Sequence, residues 1–198
     1  MRANETIPRA APRWRVALLG GPPPVRANVG AAIRRAGGTV AIESATPDEA
    51  LQVIERARPD IAIIAPEPAW PGGSGSFQRW DRASCPVVLL ARGSNRRLLE
   101  EAREGGVMAC LIEPVHPAQV ASTLDLAVAR FRDVQALRQA LADRKVIERA
   151  KGLLMAREGL TENEAFCRLR RTSMDTQRPL AATARSVLLS EPVVRSQA

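Results

Sequence analysis

The chain has 198 residues, 45% of them hydrophobic, and a net charge of +8 from 29 Lys/Arg against 21 Asp/Glu. That is enough for one ordinary domain plus a small appendage. No apolar run approaches the roughly 20 residues that span a bilayer, the start Met1 to Arg13 carries no apolar secretory stretch, and Cys85, Cys110 and Cys167 form no C-x-x-C, which leaves a cytosolic protein with buried free thiols as the expectation.

Residues 1–13 mix Pro, Ala and Arg without periodicity and read as a tail. Short apolar runs then alternate with helical patterns. The runs Val16–Leu19, Thr39–Ile42, Ile61–Ile64, Val87–Leu90 and Cys110–Ile112 are bounded by Gly, Pro, Asp or Ser and have the length of buried parallel strands. Between them the patterning predicts helices over Val25–Ala36, over Pro47–Arg56 with Thr46 as N-cap, over Phe77–Arg82 and over Asn95–Glu104. Such an alternation is that of an α/β domain of (βα)5 type with helices on both faces of its sheet.

From Pro117 the pattern becomes purely helical. Leu124, Val128, Phe131, Val134, Leu137 and Leu141 recur at three- and four-residue steps, with no Gly or Pro before Gly152. Packing on the first domain can cover the first turns of this helix; a homodimeric coiled coil is the economical cover for the rest. The pattern breaks at Gly159, and Thr161 with Glu164 makes a capping-box start for the next helix. A last helix is predicted from Pro179 to about Leu189. Ile147, Leu154, Met155, Ala165, Phe166 and Leu169 are the expected core of this small helical unit, with Gly152 allowing close helix packing.

The positive charge is concentrated here. From Arg130 to the end there are 14 Lys/Arg against 8 Asp/Glu, whereas residues 1–129 carry 15 against 13. Such an excess favours a polyanion through counterion release, nucleic acid before an anionic membrane surface; a merely solvated helical face is the plain alternative.

Catalytic constellations are not apparent. Gly20-Gly21-Pro22-Pro23-Pro24 stands between a strand and a helix, but its prolines remove amide donors and no Lys-Ser/Thr follows, so it reads as a rigid turn. Ser74 lies in Gly72-Gly73-Ser74-Gly75, which is not a nucleophile elbow. His116 is the only histidine, too little for a triad or a zinc site. Neither an enzymatic activity, a metal nor a cofactor is expected.

The layout of residues 14–129 resembles the response-regulator receiver domain, a flavodoxin-like fold. Receivers carry two acidic residues after the first strand for Mg²⁺, a phosphorylatable Asp after the third, Ser/Thr after the fourth and Lys before a Pro after the fifth. The corresponding positions here are Gly20-Gly21, Ala65, Ala91 and Glu113. Alanine at 65 offers no nucleophile, and Glu67, between Pro66 and Pro68, has no acidic pair to hold a cation. The expectation is a pseudo-receiver over 14–122 that is not phosphorylated, followed by a coiled-coil linker over 123–143.

The remainder, Ile147-Glu148-Arg149-Ala150-Lys151-Gly152-Leu153-Leu154-Met155, then Leu160-Thr161-Glu162-Asn163-Glu164-Ala165 and Leu169-Arg170, closely resembles the three-helix ANTAR domain of transcription antitermination regulators. The resemblance covers 144–190, and the layout as a whole is similar to the amidase-operon and nitrate-assimilation antiterminators. It departs from the pattern at Ser173-Met174, where members often have Ala-Met. The resemblance implies binding of paired hairpins in a leader RNA so that a terminator does not form, with control by a ligand-sensing partner protein.

On the residues themselves, Lys151 flanks the apolar stripe and is expected to point outward to phosphate, with Arg149 and Arg157 extending the basic surface. Arg168, Arg170 and Arg171 suit bidentate phosphate contacts or stacking on loop bases, and Gln177 and Arg178 can read base edges. Structural roles stand beside these: Arg170 and Arg171 can serve a helix C-terminus, and Lys151 and Arg149 can pair with Glu148 or Glu158. With Tyr absent and Phe166 assigned to the core, stacking falls to Arg. A DNA-binding regulator and an adaptor that binds no nucleic acid are the competing functions.

Overall fold

The computed structural model describes residues 12–44, 50–66, 80–93 and 96–190. The chain divides into two compact units, Met1–Arg132 and Asp133–Ala198.

The first unit holds five strands, β1 (Arg15–Gly20), β2 (Thr39–Ser44), β3 (Ile61–Ala65), β4 (Val87–Ala91) and β5 (Ala109–Ile112). All pairings are parallel and the order is β2-β1-β3-β4-β5. This doubly wound order follows from right-handed crossovers and places a crevice at the carboxyl ends of the strands. Every residue of β3 and β4 is buried, because helices cover both faces. Alternation then sorts side chains by face. Val16, Leu18, Ile61, Ile63, Val88 and Leu90 pack with Val29 and Ile33 of α1 (Pro23–Arg35) and with Val120, Leu124 and Ala127 of α4 (Pro117–Glu158). Ala17, Leu19, Ala62, Ile64 and Leu89 pack with Ile54 of α2 (Ala50–Ala57), Ala102 of α3 (Arg96–Glu104) and Trp80.

Local chemistry moved some boundaries. Helix α1 begins at Pro23, inside the stretch expected to be a rigid turn, because prolines at the first helical positions forfeit only amides that have no intrahelical acceptor. The predicted cap Thr46 and Pro47 lie outside the described residues, as do Phe77–Arg79 and Asn95; Trp80–Arg82 form a single 3₁₀ turn where α-helix was predicted. Cys85 is buried, and burial pushes its thiol up to about 12. Cys110 is half-buried, but Cys167 is exposed and does not meet the expectation of a buried thiol.

Helix α4 has 42 residues and continues through Gly152 without a break. Leu124 is buried and Val128 and Phe131 pack on the first unit's core, whereas Leu137 and Leu141 are more than half exposed. It ends at Gly159, whose φ of +68° suits glycine at a helix terminus. Helices α5 (Glu162–Asp175) and α6 (Leu180–Leu189) complete the second unit. Thr161 caps α5: the Glu164 amide donates to its Oγ1 at 3.4 Å and its own amide donates to Glu164 Oε2 at 2.8 Å.

The second unit's core is Ala150, Leu154, Ala165, Leu169 and Ala184, with Val146, Ile147, Leu160, Leu180, Val187 and Leu188 packed around it. Alanines at its centre let short helices approach closely. Two residues assigned to this core from sequence are not in it: Met155 is 38% exposed and Phe166 39% exposed. Nor does Gly152 serve close packing, since a Cβ there meets nothing within 4 Å.

Candidate nucleic-acid interface

The crevice of the first unit is where a receiver would work, and among the described residues it lacks the required groups. Gly21 has a φ of +76°, and a Cβ at this position would meet the Ala65 Cβ at 2.9 Å. An acidic side chain at 21 has no room unless β3 moves. The cavity of about 320 Å³ there is walled by Pro22, Val25, Leu90 and Leu98, and the one carboxylate among its described residues, Glu113, lies 4.0 Å from the Arg92 guanidinium. Among the described residues no group of three or more His, Cys, Asp or Glu can hold a metal. The residues present do not fit the Mg²⁺ of a receiver, which needs several oxygen ligands. Glu67 lies outside the described residues.

In the second unit the ion pairs sort the basic residues into two groups. Lys151, expected to point outward, is buried with only 10% of its side chain exposed. Its ammonium donates to Glu162 Oε1 at 2.7 Å and to Glu148 at 2.9 and 3.1 Å. The hydrogen bond to Glu162, then that to Glu148, raises its pKa above the ordinary lysine value, and the same bond lowers that of Glu162. Arg168 is paired with Glu158, Arg185 with Asp143, and the Arg178 guanidinium donates to Ser186 Oγ at 3.2 Å. These contacts tie α5 and α6 to their neighbours.

The other group has no anionic partner among the described residues. Arg149 and Arg157 on α4, and Arg170 and Arg171 on α5, are all exposed and make no hydrogen bond or ion pair there. Helix α5 continues four residues beyond Arg171 to Asp175, so neither arginine stands in its last turn, and the structural reading as C-terminal caps does not apply. Gln177 adopts φ +51° in the exposed turn before α6. Sequence periodicity did not separate the two groups, because it ranks positions by face and carries no information on which carboxylate a long side chain reaches.

A family model described as the ANTAR domain matches residues 135–188. A transcriptional regulatory protein, PdtaR, of Mycobacterium tuberculosis is 32% identical over 172 residues, a match that spans 83% of this chain and 84% of the relative. The chain belongs to the ANTAR-domain family of transcriptional regulators. The resemblance read from Ala150-Lys151-Gly152 and from the capped start at Thr161 holds. Among solved structures, the receiver domain of a modulated diguanylate cyclase from Desulfovibrio desulfuricans superposes with a TM-score of 0.52 at 16% identity, covering 59% of this chain and 94% of that one. A two-component response regulator from Aurantimonas gives 0.51 at 23% identity over 59% of this chain and 85% of that one. These likenesses establish the receiver fold of the first unit. This ANTAR-domain chain therefore joins a receiver-fold unit, with Gly20, Gly21 and Ala65 at the ends of β1 and β3, to a basic helical unit. No helix among its described residues is long and apolar enough to cross a membrane.

Proposed function

We propose that this protein is a non-enzymatic, cytosolic transcription antiterminator whose ANTAR unit binds paired hairpins of a nascent leader RNA and prevents a terminator from forming. The observation that carries the reading is the division of cations: Lys151, Arg168 and Arg185 are consumed by internal ion pairs, while Arg149, Arg157, Arg170 and Arg171 stay exposed and unpaired among the described residues. Keeping four guanidiniums free serves no contact within the fold, and it supplies the phosphate-binding charge that nucleic-acid affinity requires. Gln177 and Arg178 flank this set, and Lys151 and Arg168 serve mainly to hold the helices that present it.

A dimer follows from α4. Leu137 and Leu141, one turn apart, are 67% and 60% exposed, and a second copy of this stripe is the natural cover. Two ANTAR units on one dimer then engage two hairpins with a gain from effective concentration. Control rests with a ligand-sensing partner protein, because among the described residues the crevice holds neither phosphoryl acceptor nor Mg²⁺ ligands. The functional division is 14–122 for the pseudo-receiver, 123–143 for the linker and 144–190 for the RNA-binding unit.

Gel shift with a two-hairpin leader RNA and with duplex DNA of equal length tests this reading. Preference for the RNA supports it. Equal affinity for the two, or weak binding of both, overturns it in favour of a DNA-binding regulator or an adaptor.

A further inference from the structure

The exposed face of α5 carries more than charge. Phe166, Arg170 and Met174 recur at four-residue steps, so they stand one above another on one side of the helix. Phe166 is 39% exposed and Met174 67% exposed, and neither belongs to the core cluster that their neighbours Ala165 and Leu169 form. Among the described residues Phe166 is the one exposed aromatic side chain, since Trp14 and Trp80 are buried and Phe131 packs on the first unit's core.

We infer that Phe166 is the platform on which an unpaired loop base stacks, with Arg170 taking the phosphate of the same or the next nucleotide. The inference rests on the RNA reading above and names the recognition element within it. Arg170 stands about 6 Å further along the helix axis, within reach of a phosphate whose base lies on the ring. The chemistry also decides between occupants. An apolar protein surface laid on Phe166 and Met174 would trap the unpaired Arg170 guanidinium between them without an acceptor. A nucleotide satisfies all three, offering a π-face to the ring, phosphate oxygens to the guanidinium and a base edge to the thioether. Paired stems hide their base faces, so this platform selects loops over stems.

The test uses the full-length protein and RNA selected for binding to it from two-hairpin transcripts with randomised loops. The selected RNA is then labelled with 2-aminopurine at single loop positions, and at a stem position as control. Binding by the native protein is expected to quench one loop probe and leave the stem probe unchanged. Phe166→Leu, which keeps apolar bulk without the ring, should weaken binding roughly 5- to 150-fold and abolish the quench. Phe166→Trp should retain both. Melting temperatures of the variants close to that of the native protein establish that the fold is intact. Phe166→Leu binding as tightly as the native protein, or loop and stem probes responding alike, overturns the platform while leaving RNA binding standing. Failure of the native protein to select any RNA removes the RNA reading itself.

Discussion

Lys151 of α4 and Glu162 at the start of α5 are joined by a 2.7 Å charge-assisted hydrogen bond, made by an ammonium group whose side chain is 10% exposed. Together with Glu148 this pair fastens α5 against α4 just beyond the Gly159 turn. Lys151→Met is therefore expected to lower the melting temperature of the ANTAR unit by several degrees and to loosen α5, seen as faster amide exchange there. Arg170→Ala should leave both unchanged, because the Arg170 guanidinium pairs with no group among the described residues.

The same pair sets a pH window. The Glu162 pKa is lowered, chiefly by its bond to Lys151, so its contribution is complete above the ordinary carboxylate range and is lost as pH falls through the lowered value. The Lys151 pKa is raised, first by Glu162 and then by Glu148, so that contribution is complete below the ordinary lysine range and is lost as pH rises through the raised value. Melting curves against pH should decline at both ends for the native protein, with both limbs shallower in Lys151→Met. Identical profiles for the two proteins would contradict this assignment.

The capping box gives a local prediction. Thr161 accepts the Glu164 amide while Glu164 accepts the Thr161 amide. Thr161→Ala removes the first bond and is expected to cost about 0.5–2 kcal/mol, measured by urea unfolding. Leu169→Ala, at a side chain 1% exposed in the five-residue core, should cost more, about 2–5 kcal/mol. The reverse ranking would contradict the packing described.

Much of this architecture was legible in the chain. The five apolar runs became five parallel strands, because short continuous apolar stretches suit a sheet covered on both faces, and the spacing from Pro117 onward became one helix, because its apolar residues recur with the helical period. What escaped lies at the margins of the periodicity. Phe166 and Met155 stand at the edge of the apolar stripe, where a helical pattern cannot tell half-exposed from buried. Lys151 also stands at that edge, and its inward placement depends on Glu162, eleven residues away across a turn. Only the crossing of the helices brings the two together. Gly152 has the spacing of a packing glycine, yet its missing side chain faces open space.

The crevice yields a further prediction. Ala65→Asp restores a carboxylate at the receiver's acceptor position but not the acidic pair, and Gly21 packs so closely on Ala65 that the new side chain enters a crowded, buried place. Incubation with acetyl phosphate and Mg²⁺ should label neither the native protein nor this variant, and the variant should be less stable. Labelling of the native protein would overturn the pseudo-receiver reading.

Arg149, Arg157, Arg170 and Arg171, exposed and unpaired among the described residues, are assigned to RNA. That assignment is tested most directly by the salt dependence of binding to a two-hairpin leader RNA, comparing the native protein with Arg170→Ala/Arg171→Ala. Removing one arginine–phosphate interaction should reduce the slope of log affinity against log salt by about 0.7–0.9. Losing both contacts should weaken binding and reduce the slope by about 1.4–1.8, with an unchanged melting temperature. Unchanged affinity and slope in a folded variant would contradict it.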